Sequence, residues 1–364
     1  MATPLRIAVN ARALEPRRSP FSRLTASHLV RMLADAEDLA MHLVVAEPIS
    51  ASAAGLPSQV VPASGGRFGA LAFDQVLFPR AAKHLGADLL LYLHASAPIA
   101  SPAPAVSWYG DGETLPQRSG QGGRLSRSVA LAGMRGAAAV LRHQDIPSAE
   151  VGLPWIEVPP SVPTAFAAPG TAQPSSGAGF DPESYVLAAG EPSSRLSVLL
   201  AAWTWVEGSL GDSYVLRLAS ANDEARRISE ETVARMGLSE TVQAVTVDDD
   251  AWPAMFRNAS ALLHAGEREN AAALRWALSC GLPVAALSTP VSASILGPAG
   301  YLAAQPDART LGAACLTLLV EEEIASSLRE KGRERARAYH SEAAERAWLE
   351  ALRHAARRGA AASR

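Results

Sequence analysis

Short apolar runs alternate with longer stretches of helical periodicity along most of this chain. Leu5–Val9 is a compact β-type run, followed by the polar, Pro-containing loop Asn10–Pro20. Between Phe21 and Leu39, apolar residues fall at Leu24, Leu29, Val30, Leu33 and Leu39 in a helical rhythm, and Met41–Val45 returns to strand character. Leu89–Leu93, Ala105–Trp108 and Ala138–Leu141 are further short strand candidates, with a helix expected at Ser126–Met134. Strand, helix and strand at this spacing predict a parallel α/β domain.

The pattern breaks at Ala165–Pro182, AFAAPGTAQPSSGAGFDP, which is poor in large apolar residues and rich in Ala, Gly, Pro and Ser. Such a composition offers little burial to offset the entropy of ordering the backbone, so the stretch reads as a domain linker. A surface loop inside one domain is the alternative. A second α/β pattern follows: strand 185–189, helix 196–206, strand 214–218, helix 224–236, strand 242–247, helix 252–258 and strand 261–263. From Ala308 onward the chain reads as helical, ending in a helix over 341–358. The expected division is 1–165, a linker at 166–182, 183–340, and a C-terminal helix at 341–364 that returns to the first domain.

Leu262–Ala286, LLHAGERENAAALRWALSCGLPVAA, is the segment closest to chemistry. It predicts a strand, a polar turn, a helix from Asn270 to Ser279 stopped by Gly281 and Pro283, and a strand at Val284–Leu287. In parallel sheets ligands bind beyond the carboxyl ends of strands, where a helix N-terminus presents free N–H groups to phosphate. His264–Asn270 is therefore the expected ligand-facing loop.

Composition narrows the classes. With 364 residues the chain has room for two domains, and 48% hydrophobic with 19% charged residues describes a globular protein. A net charge of −3 and a pI near 6.3 give no general electrostatic reason to bind nucleic acid or an anionic membrane, and leave local basic clusters open. Cys280 and Cys315 lie in apolar surroundings and make neither a disulfide framework nor a metal site. No run approaches the length of a membrane span, and Asn10 and Arg12 interrupt the apolar N-terminal run, so a cytoplasmic location is expected.

The order of segments resembles the GT-B glycosyltransferases, specifically the retaining family 4. The resemblance is carried by Asp248–Asp250, the helix 252–258 before Ala259, strand 261–263 and Cys280-Gly281-Leu282-Pro283-Val284, with weaker echoes at Arg6–Leu14, Ile156–Val162 and Tyr185–Gly190. It implies two Rossmann-like domains facing a cleft and a metal-independent transfer of sugar from a nucleotide-sugar substrate, with no further cofactor.

The resemblance also implies two carboxylates eight positions apart, the first near the transferred sugar and the second on the ribose. Counting back from Cys280, these positions are Arg268 and Trp276, neither of which accepts hydrogen bonds as a carboxylate does. Glu267 and Glu269 flank the first, and no carboxylate lies in 270–279 to replace the second. The family's glycine-rich turn has become Asn270-Ala271-Ala272-Ala273. Its basic pair for the diphosphate leaving group maps onto Arg195 and Leu196, with Arg217 a further candidate. On the acceptor side, the N-terminal loop keeps Arg23 but no glycine, and the family's His-Asp pair falls near Tyr109 and Asp111.

Three functions are compatible with this pattern. The first is a protein with an eroded donor site, acting as a partner or regulatory subunit of an active transferase homologue. The second is a divergent active transferase using a glycan or lipid acceptor, and the third a sugar-nucleotide sensor. Trp276 in a helix of Ala and Leu reads either as packing or as a stacking platform for a ring.

Overall fold

In the computed structural model the described residues are 3–16, 18–49, 55–63, 66–110, 120–147, 152–167, 184–190, 195–220, 222–266, 270–340 and 342–362. They divide into two compact units, one formed by 1–18, 22–161 and 341–364, the other by 19–21 and 162–340.

The first unit holds strands β1 (Leu5–Asn10), β2 (Leu39–Val45), β3 (Ser58–Val60), β4 (Leu89–Tyr92), β5 (Ala105–Trp108), β6 (Ala139–His143) and β7 (Trp155–Val158). Its helices are α1 (Pro20–Ala34), α2 (Gly66–Ala72), α3 (Phe78–His84) and α4 (Gly120–Gly136), with a π-helical turn at Phe73–Leu77 joining α2 to α3. All strands pair in parallel, in the order β3-β2-β1-β4-β5-β6-β7. Strands covered on both faces must be apolar throughout, which is why β4 reads Leu-Leu-Leu-Tyr and is wholly buried.

The second unit holds β8 (Tyr185–Ala189), β9 (Val215–Ser220), β10 (Val242–Thr246), β11 (Ala261–His264), β12 (Val284–Leu287) and β13 (Tyr301–Ala303). Its helices are α5 (Thr164–Ala167), α6 (Leu196–Leu210), α7 (Asp223–Arg235), α8 (Trp252–Asn258), α9 (Ala271–Cys280), α10 (Pro290–Leu296), α11 (Ala308–Val320) and α12 (Glu322–Ala336). The sheet is again parallel, ordered β10-β9-β8-β11-β12-β13. The final helix, α13 (Glu342–Ala362), belongs to the first unit, where Trp348, Leu349 and Leu352 join the core formed with α1 and one face of the sheet.

Each sheet runs outward from a central strand and then reverses, the doubly wound order of a Rossmann-like domain. The reversal lies between β1 and β4 in the first sheet and between β8 and β11 in the second.

Local chemistry sets the element ends. Gly281 takes φ +67° after α9, the left-handed cap expected of Cys280-Gly281-Leu282-Pro283. Asn222 and Asp307 cap α7 and α11 through their side chains, and Thr289 forms a capping box with Ser292 on α10. The helical rhythm expected to reach Leu39 stops at Ala34, because Asp35-Ala36-Glu37-Asp38 offers no apolar face and Leu39 opens β2 instead. Ala165–Ala167, within the expected linker, form part of α5 and bury Phe166, while the remainder of that stretch lies outside the described residues. Arg335 on α12 donates from Nε and Nη2 to the carbonyls of Ile295 and Ser294, at 2.5 and 2.6 Å.

Candidate functional site

The second unit's reversal point is built by the ends of β8 and β11 and the start of α9. Gly190 follows β8 at φ +143°, a region open essentially to glycine alone. A methyl group there would fall 2.4 Å from Asn270 Nδ2. Asn270 precedes α9 without capping it through its side chain, so its amide lies against Gly190 and Gly266. Arg195 stands at the start of α6, and His264 ends β11. Gly190, Arg195, His264, Gly266 and Asn270 line a cavity of about 40 Å³ at the carboxyl ends of the strands. That is room for a few waters, whereas pockets for small molecules typically span about 300–1,000 Å³.

His264 is buried, and among the described residues its Nε2 has no hydrogen-bond partner. Burial pushes its pKa down to about 4, against a smaller upward effect of a backbone hydrogen bond at Gly266. The imidazole is neutral at physiological pH, so it brings a polar surface to this point without a charge.

Other residues expected at a donor site go elsewhere. Arg217 lies inside β9 rather than at its end. Its guanidinium sits 4.2 Å from the centroid of the Tyr185 ring, and Nε donates to Gln243 Oε1 at 3.3 Å. Trp276 is 1% exposed and belongs to a ring cluster with Phe21, Phe166, Trp252 and Phe256. Its indole stacks on Phe166 with centroids 4.5 Å apart and planes at 22°. Neither residue lines the cavity. Ala271–Ser279 are all buried because α9 packs against α5, α8, α10 and α12. Glu267, Arg268 and Glu269, and Asp111 in the first unit, lie outside the described residues.

The first unit's reversal point is closed by a buried ionic network. Asp74, carried by the π-helical turn, accepts from Asn10 Nδ2 at 3.0 Å, Arg12 Nη1 at 3.3 Å and His94 Nε2 at 3.1 Å. Asn10 ends β1 and His94 follows β4, so the network spans the gap between these two strands. Tyr92 Oη donates to the Asp74 carbonyl at 2.8 Å, and Ser107 Oγ donates to the His94 carbonyl at 3.1 Å. Burial alone would raise the Asp74 pKa, but the charges of His94 and Arg12 and the hydrogen bonds from His94 and Asn10 hold it well below the usual carboxylate range. His94 thus presents Nε2 to Asp74, and among the described residues its Nδ1 has no hydrogen-bond partner.

Periodicity did not reveal this His–Asp pair, because its members are twenty residues apart and meet only through the sheet. The signals were present: a charged residue inside the apolar run Phe73-Asp74-Gln75-Val76-Leu77-Phe78, and a histidine closing an all-apolar strand. The two acceptor-side candidates have structural surroundings. Arg23 Nη1 donates to the carbonyls of Pro16 and Arg18, at 2.9 and 2.6 Å, bracing the loop before α1. Tyr109 is buried beside Trp155, with ring centroids 5.4 Å apart.

The whole described architecture has counterparts among solved structures. A sucrose-phosphate synthase from Thermosynechococcus elongatus superimposes with a TM-score of 0.71 at 16% identity, over 98% of this chain and 99% of that one. The fold is GT-B. WaaG, a glycosyltransferase involved in lipopolysaccharide biosynthesis, gives 0.70 at 15% identity over 95% of this chain and 98% of its own. The Anabaena protein HepE in complex with UDP and glucose gives 0.71 at 12% identity, over 96% and 99%. No protein-family model matches the sequence, and no curated protein matches it. At these identities the GT-B likeness establishes two Rossmann-like units of parallel sheet and flanking helices. Among the described residues, no helix is long and apolar enough to cross a membrane.

Proposed function

We propose that this chain is a divergent GT-B glycosyltransferase that transfers a sugar from a nucleotide donor to a glycan or lipid acceptor. The observation carrying this reading is the reversal point between β8 and β11, where Gly190, Gly266 and Arg195 meet the start of α9. Glycine lets backbone approach a ligand closely, and the N-terminus of α9 favours an anionic group. HepE, of the same fold, is described with UDP and glucose, and TarM from S. aureus with UDP. In this reading Arg195 steadies the diphosphate as the bond from the anomeric carbon to its oxygen breaks, and Glu267 or Glu269 stands near the sugar. An acceptor hydroxyl oxygen forms the new glycosidic bond, and its proton passes to the departing diphosphate oxygen. The cavity of about 40 Å³ must widen to admit a donor.

A second reading is a non-catalytic partner of an active transferase, favoured by Trp276. The position where the family resemblance implies a ribose-binding carboxylate is occupied by an indole inside an aromatic core.

Calorimetry with UDP-, GDP- and ADP-sugars, run beside an assay for donor hydrolysis, separates the two. The transferase reading expects micromolar binding, with turnover that drops by about 100-fold or more in Glu267→Gln or Glu269→Gln. Silence across the panel overturns it in favour of the partner reading. Binding without turnover leaves a sugar-nucleotide sensor.

A further inference from the structure

Among its described residues, the first unit gathers the exposed large apolar side chains mainly on one side. Its exposed large hydrophobic residues, among those described, are Val60, Phe68, Val76, Ile99 and Leu125. Apart from Val60 on strand β3, all lie on the layer formed by α2, the π turn, α3 and α4. Phe73, Phe78 and Ala81 from that helical run, and Ala130 and Met134 from α4, pack on the same face of the sheet. The outward sides of both helices therefore point the same way. Helices α1 and α13, on the opposite face, expose no large hydrophobic residue among those described.

Along the α2–α3 run the exposed positions fall at Phe68, Ala72, Val76 and Arg80, four residues apart. Four-residue steps drift by roughly 40° around an ordinary α-helix. The wider π turn takes back part of that drift, so the positions stay aligned. Helix α4 presents Leu125, Ser128, Ala132 and Arg135 in the same manner, beside Arg124. The segment between them is locked in place. Gln75 Nε2 donates to the Ala97 carbonyl at 2.9 Å, the Ile99 N–H donates to Gln75 Oε1 at 3.0 Å, and Gly133 of α4 packs directly on the Ala97 carbonyl. Ile99 thus stands between the two helices, 63% exposed, with Phe68 at 73% and Leu125 at 51%.

Charge on this layer has one sign. Residues 66–84 and 120–136 contain six Lys and Arg and a single carboxylate, Asp74, which is buried in the ionic network. Arg80, Lys83, Arg124 and Arg135 are exposed around the apolar residues. The whole chain is net acidic at −3, so this is a local basic field and not a property of the composition.

We propose that this layer docks on an anionic lipid bilayer, with Phe68, Val76, Ile99 and Leu125 entering the headgroup region and the surrounding Arg and Lys meeting lipid phosphates. Apolar residues of this size ringed by cations match the chemistry of an interfacial helix pair, and a bilayer offers the continuous surface that such a broad face requires.

The test uses the full chain in co-sedimentation with vesicles of phosphatidylcholine alone or with about a third phosphatidylglycerol. Binding is expected only to the anionic vesicles, weakening as salt rises from about 0.1 to about 0.5 M. The double variants Phe68→Ser/Leu125→Ser and Arg80→Glu/Arg124→Glu should each lower partitioning by about tenfold or more. These exposed positions leave the core intact, which an unchanged circular dichroism spectrum verifies. Equal binding to both vesicle types, no binding, or partitioning unaffected by either variant overturns the proposal. So does a dimer in sedimentation that dissociates in Phe68→Ser/Leu125→Ser, which would make the face a protein interface.

Discussion

The Trp276 indole lies on the Phe166 ring with centroids 4.5 Å apart and planes at 22°, deep within the second unit. This pairing ties α9 to α5 and turns the middle of a helix beside the candidate site into core. Trp276→Ala should destabilise the unit by about 3–5 kcal/mol through lost burial and a residual cavity. Trp276→Glu should be worse, since a carboxylate among these rings has no hydrogen-bonding partner there. Urea denaturation of both variants checks the order, and a Trp276→Glu variant as stable as wild type would show that the indole is not core.

Gly190 and Asn270 make the second prediction. Gly190→Ala should cost about 1–3 kcal/mol from the backbone at φ +143° alone. The approach to the Asn270 amide adds to this. Asn270→Ala should rescue only the steric part, giving a coupling in a double-mutant cycle while the backbone strain persists. Thermal unfolding of the two single variants and the double variant measures it, and full rescue would mean that the backbone adds nothing.

His264 predicts a pH dependence of stability. Its folded pKa of about 4 lies below the ordinary 6.5, so between those values the unfolded state binds more protons than the folded state. Stability therefore rises with pH across this window, is fully present above about 6.5, and is lost as pH falls towards 4. The shift corresponds to about 3 kcal/mol. His42 and His340, both also lowered by burial, add slope of the same sign. Asp74 adds little, because its contribution is lost only as pH falls below the ordinary carboxylate value of 3.8 towards its depressed folded value. Chemical denaturation at pH 4.5 and 7 should show a shallower dependence in His264→Gln, and an unchanged slope would place the effect in the other histidines.

Asp74→Ala should destabilise the first unit by about 3–5 kcal/mol, because Arg12 and His94 remain buried without their common partner. Removing the exposed pair between Arg6 and Asp88 should change stability far less, because solvent screens it. Melting curves of Asp74→Ala and Asp88→Ala compare the two, and equal effects would refute the assignment of Asp74 as the structural centre of the network.

Much of the fold was legible in the chain. Leu5–Val9, Ala105–Trp108, Ala261–Leu263 and Val284–Leu287 read as strands because residues buried on both faces of a parallel sheet are apolar without interruption. Gly281 was legible as a helix stop. The run 66–84 was not legible, since a π turn changes its period midway. Strand β13 was too short to separate from its surroundings. Candidate site residues fared differently according to what positions them. Arg195 was placed by the family resemblance alone, and it stands at the start of α6, where the chain leaves β8. Trp276 was placed by counting back from Cys280 and Arg217 as a strand-end cation, and their side-chain directions depend on the layer packed above them.

The sequence by itself determined the alternation of strands and helices, the parallel character of the sheets and the loops at their carboxyl ends, because periodicity and caps act over a few residues. Only the tertiary structure decided that Asp74 meets His94, that Trp276 turns into an aromatic core, and that Phe68, Ile99 and Leu125 share one face. Those relations join residues far apart in the chain, and strand order and helix packing alone bring them together.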